Sequence, residues 1–148
     1  MPHHHAYLWI GPARALHKDG PRRPAQPPLD PAHRAVFEAA EVPPNELAHW
    51  LLRPARQIRA TFHDPEEAAA WLHDEFAPHL PKLLHPWGDE QQTRLTHLRR
   101  RTLTELRHGQ CAVWGHYLTG ERFFSGNLIS CSPHHNQPTL PCPLTTAN

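Results

Sequence analysis

Apolar positions recur at two periods along this chain, and the change of period outlines its elements. Ala32, Ala35, Val36, Ala39 and Ala40 fall at helical spacing after Asp30-Pro31, an N-cap followed by Pro at the first helical position. Pro43-Pro44 stops that helix. Asn45 can cap a second short helix carrying Leu47, Trp50 and Leu51, which ends before Pro54. Gln57 to Phe62 alternates as a strand does. Asp64-Pro65-Glu66-Glu67 then has the form of a capping box, and Ala68, Trp71, Leu72 and Phe76 line one face of the helix it opens. Asp89 and Gln92 form a second such pair, ahead of a helix with Leu95, Leu98, Thr102 and Leu106 on one side and Gly109 to close it.

The strands expected besides 57–62 are Ala6–Ile10, Cys111–Leu118 and Arg122–Cys131. Thr119-Gly120-Glu121 joins the last two as a tight hairpin. The pattern predicts an α+β fold: a small single domain, about four helices with a C-terminal antiparallel β-hairpin and Pro-rich flexible segments. Residues 1–29 read as an N-terminal strand and Pro-rich linker, 30–131 as the α+β domain, and 132–148 as a Pro-rich Cys/His tail.

Composition narrows the function classes. Only 39% of the 148 residues are apolar and 18 are Pro, so the core is modest. The apolar run at 6–10 is too short for a signal-peptide core or a membrane span, which predicts no membrane partner. Three Cys, an odd number, favour reduced thiols and a cytoplasmic protein over a disulfide framework. Charge is segregated: residues 60–90 hold one Lys against seven acids, and residues 91–148 hold six Arg against two Glu. The protein can therefore pair its own segments or show separate acidic and basic faces to partners.

Two sets of residues carry candidate chemistry. With the leucines of 95–106 turned inward, Arg94, Arg100, Arg101 and Arg107 project from the opposite face of the helix, beside His97 and His108. Such a stripe suits phosphate contacts or an acidic protein partner. Arg53, Arg56 and Arg59 would form a second basic face. The other set is Cys131, His134, His135 and Cys142, thiol and imidazole ligands of the kind zinc takes in tetrahedral array, with a C-x2-H step able to reach one metal. At the N-terminus, His3-His4-His5 could chelate Cu(II) or Ni(II) once Met1 is removed, and reads otherwise as a partly protonated tail.

Reaction signatures are missing: there is no nucleophile elbow, no phosphate-cradling Gly loop and no H-E-x-x-H. Cys111 with His116 or His108 is a conceivable nucleophile–base pair, but odd spacing in a strand turns Cys111 and His116 to opposite faces. The expectation is a small non-catalytic accessory or regulatory protein contacting nucleic acid or an acidic partner through the Arg face. The alternatives are a zinc-binding protein built on the Cys/His tail and, from size alone, a plasmid- or phage-borne protein involved in transfer or spread.

Overall fold

A computed structural model of the protein describes residues 2–28 and 30–145; Leu29 of the expected linker and residues 146–148 of the expected tail lie outside them. The expected α+β architecture is present. Its strands are β1 (His3–Pro12), β2 (Ala60–Phe62), β3 (Ala112–Leu118) and β4 (Arg122–Cys131), in the order β2-β1-β4-β3 with every pairing antiparallel. Its helices are α1 (Pro31–Ala39), α2 (Pro65–Phe76) and α3 (Gln91–Arg107), joined by a fourth helical segment, a 3-10 helix at Leu47–Leu52.

Local chemistry explains most of these boundaries. Asp30 and Asp64 cap α1 and α2 by accepting from the backbone N–H groups of Ala32 and Glu66, each at 2.9 Å. Gly109, at φ +73°, ends α3 in the left-handed conformation that glycine adopts without a Cβ penalty. The start of α3 departs from expectation. Asp89 lies in a 3-10 turn at Gly88–Glu90, and the helix opens at Gln91 without a side-chain cap. At β2 the strand is only three residues long, because Ala55–Gln57 forms a 3-10 turn.

The N-terminal segment holds the largest surprise. His3, His4 and His5 are not a loose tail but the first three residues of a ten-residue strand; all three pair with β4, and His4 and His5 pair with β2 as well. The Pro-rich 11–28 stretch is also built in: the Arg22 side chain donates to the Pro43 carbonyl at 2.8 Å, and Arg53 donates to that of Pro21 at 3.1 Å.

The sheet is covered on both faces. Against one face, Leu72 and Phe76 of α2 and Leu95 and Leu106 of α3 pack on Ala6, Trp114, Phe124 and Leu128. Against the other, Trp50 and Leu51 pack on Tyr7 and Ile129, with the Tyr7 and Trp50 rings stacked at 4.6 Å. Alternation along a strand produces this division. It leaves β4 buried over its last eight residues. No helix among the described residues is long and apolar enough to cross a membrane.

Candidate metal and thiol clusters

The four tail residues do not converge on one point. Ser130 and Cys131 are consecutive in β4 and point to opposite faces of the sheet, and the chain beyond them wraps the sheet end. His134 and His135 gather with Cys111 beside Ser130, whereas Cys131 and Cys142 gather with His3 and His5. A single centre of Cys131, His134, His135 and Cys142 is therefore replaced by two separate clusters.

The first cluster is made by strand register. His3 and His5 are two apart in β1 and share a face, and His3 lies directly opposite Cys131. Cys142 arrives from the tail. His5 Nε2 lies 3.3 Å from Cys142 Sγ, His3 Nε2 lies 3.7 Å from the same sulfur, and the two Nε2 atoms are 3.2 Å apart. With Cys131 Sγ included, all four ligand atoms fall within 4.8 Å of one another, and His5, Cys131 and Cys142 are buried. These are His and Cys groups at metal-binding distance.

Around them, β2 supplies Thr61 opposite His5, with Thr61 Oγ1 2.8 Å from His5 Nδ1. A hydroxyl that accepts from Nδ1–H leaves the Nε2 lone pair facing the cluster. Burial, then the neighbouring imidazoles His3, His4 and His63, push the His5 pKa down to about 4, so the ring is neutral and able to ligate at pH 7. Burial raises the Cys131 thiol, which the Ser132 hydrogen bonds partly offset. Tyr7 follows His5 on the same face; its buried hydroxyl has no hydrogen-bond partner among the described residues. Its pKa is raised by burial first and then by the charges of Cys131 and Cys142.

The second cluster faces a cleft of about 600 Å³. Cys111 Sγ is 3.3 Å from His134 Nε2 and 3.7 Å from His135 Nδ1, and Ser130 Oγ lies 3.5 Å from the sulfur. Neither His116 nor His108 joins it: His116 stacks on Phe76, and His108 Nδ1 turns to the Thr104 carbonyl.

The arginines divide differently from expectation. Arg94, Arg100, Arg101 and Arg107 are exposed on α3, but Arg94 pairs with Glu90, Arg101 with Glu105 and Arg107 with Glu66 of α2. Arg56 and Arg59 are exposed. Arg53 is not on a surface at all. At 2% exposure it donates to the carbonyls of Ala40, Pro21 and Val42, and its guanidinium sits 4.3 Å from the centre of the Phe37 ring. Three carbonyls left by the bends around 21 and 40–42 need a multi-donor side chain, which only Arg supplies in one plane.

Cys131 and Cys142 were legible in the sequence as metal ligands, and His3-His4-His5 as a separate Cu(II) or Ni(II) chelate; that His3 and His5 join the two cysteines, with Thr61 behind His5, was not. A His-x-His step beside a β-prone run was the available signal, since alternation puts both imidazoles on one face. Comparison with known proteins adds nothing to this geometry: no family model, curated protein or solved structure matches the chain.

Proposed function

We propose that this is a zinc-binding protein in which His3, His5, Cys131 and Cys142 hold one structural metal ion. The observation that carries the reading is the spacing of the ligand atoms. Tetrahedral zinc with Zn–N near 2.0–2.1 Å and Zn–S near 2.3 Å sets N···N edges of about 3.3 Å and N···S edges of about 3.6 Å. The corresponding separations here are 3.2 Å, and 3.3 and 3.7 Å.

Three further features support it. A two-His, two-Cys set with no open corner is of the structural rather than the catalytic type. Thr61 is placed to orient His5 through its other ring nitrogen. Tyr7, with an unsatisfied buried hydroxyl near both sulfurs, offers a donor that thiolates would use. The ion would tie strand β1 to the tail across 137 residues of sequence (His5 to Cys142), so its binding energy would become folding energy. Reduced thiols and a cytoplasmic setting belong to the same reading.

The test is elemental analysis of untagged protein after exhaustive dialysis, followed by Co(II) substitution. About one zinc per chain is expected, with thiolate-to-cobalt absorption that Cys131→Ser and Cys142→Ser abolish. Chelation should lower Tm by about 10 °C or more. Metal-free protein that takes up no Co(II) would overturn the assignment.

A further inference from the structure

The second cluster contains the same residue types as the first, yet its hydrogen bonds set it up for different chemistry. His134 Nδ1 accepts the backbone N–H groups of Asn136 at 3.1 Å and Gln137 at 3.3 Å. Amides only donate, so this nitrogen keeps its lone pair and the ring proton sits on Nε2. Nε2–H then points at Cys111 Sγ, 3.3 Å away. A metal-bound imidazole needs the opposite arrangement, with its distal nitrogen donating. His134 is therefore a donor to sulfur, and the Ser130 backbone N–H is a second donor at 3.3 Å.

The thiol proton also has somewhere to go. His135 is exposed in the cleft with Nδ1 3.7 Å from Cys111 Sγ. Ser130 Oγ lies 3.2 Å from that nitrogen and accepts from the His135 backbone N–H at 3.3 Å, so its own hydroxyl proton is free to donate. Burial raises the Cys111 thiol and the Ser130 hydrogen bonds pull it back. At neutral pH the sulfur thus rests protonated, and reaction requires a base at hand.

We propose that Cys111 is a nucleophilic thiol that exchanges with small neutral or cationic disulfides in this cleft, with His135 accepting its proton. In the step, Cys111 S–H gives its proton to His135 Nδ1 and the sulfur attacks one sulfur of the disulfide. The Cys111–S bond to that sulfur forms and the S–S bond breaks. The leaving thiolate recovers the proton from His135, giving a mixed disulfide and one free thiol with no net oxidation. His134 Nε2–H and the Ser130 N–H hold the transient charge on Cys111. The cleft has the volume of a small-molecule site, and Glu46 on its wall, beside a Glu105 already paired with Arg101, disfavours anionic reagents.

The experiment uses the full chain and 4,4′-dithiodipyridine, following release of thiopyridone and locating the modified cysteine by peptide mass spectrometry. Metal content is measured on the same sample. Cys111 is expected to react at least about tenfold faster than glutathione at the same pH, and His135→Gln to slow it about tenfold without changing Tm. Cys111→Ser should remove the fast phase; if that variant does not fold, the peptide map of wild type and His135→Gln decides. A Cys111 no faster than glutathione, or a His135→Gln rate equal to wild type, overturns the proposal. So does a Cys111 silent until chelation in a protein carrying two metals. Fast Cys111 chemistry in protein that carries no metal and takes up no Co(II) would sink the zinc reading and leave this one standing.

Discussion

His3 and Cys131 face each other across the β1–β4 ladder, the third residue of the chain against the last residue of the hairpin. Opposite residues in an antiparallel pair bring their Cβ atoms to roughly 4.5–5.5 Å. The register therefore sets the first metal-capable pair before any tail residue is involved. His5, two residues on, stays on that face, and Cys142 completes the group. A one-residue slip of β1 would turn both imidazoles to the opposite face.

Arg53 tests whether a basic residue is there for a partner or for the fold. Replacing it with Met leaves the carbonyls of Ala40, Pro21 and Val42 without their donor. We expect a loss of about 3 kcal/mol or more in urea unfolding. Arg53→Lys should recover only a part of it, since an ammonium cannot span three acceptors in a plane. A variant as stable as wild type would refute the clamp.

The α3 face is the place to look for nucleic-acid contact. Arg101 is spent on an exposed pair with Glu105, which contributes only a fraction of a kcal/mol, so Arg100→Ala with Arg101→Ala should leave stability within about 0.5 kcal/mol. If the face binds phosphate, the double variant should weaken binding at every sequence and flatten its dependence on salt. Wild-type protein that does not bind duplex DNA or RNA at low salt would remove the expectation.

His116 makes stability depend on pH. Its ring stacks on Phe76 at 4.6 Å and lies edge-on to Trp87, and burial lowers its pKa from the ordinary 6.5. The native state then binds fewer protons than the unfolded state once the pH drops below about 6.5, so stability falls with acidification through that range. His116→Phe should flatten this part of the profile. It is best read as the difference between wild type and variant in urea midpoints from pH 7.5 to 5, because proton competition for a metal at the proposed site would affect both proteins alike. Parallel profiles would reject the assignment.

Gly126 sits in β4 where Leu72 of α2 comes down on the sheet, and an added Cβ would collide with the Leu72 Cδ1 atom and crowd the Phe124 ring. Leu72 and Phe124 are both fully buried and have little room to withdraw. Gly126→Ala is expected to destabilise by about 1–3 kcal/mol, in contrast to Gly20→Ala, where nothing lies nearby. Equal effects at the two positions would contradict the close approach of helix and sheet.

The local elements were legible in the chain before any folding. Asp30 and Asp64 with their following prolines, the inward stripe of α3 and the Thr119–Glu121 turn are signals carried within a few residues, and each specifies backbone conformation nearby. The contacts between distant segments came from the fold. Register joined His3 and His5 to Cys131, and the path of the chain beyond β4 sent His134 and His135 to Cys111 instead. Closeness along the chain suggested one tail site; strand alternation divides it, because neighbours in a strand point apart. Burial of Arg53 is of the same kind, since three distant carbonyls converge on it only after folding.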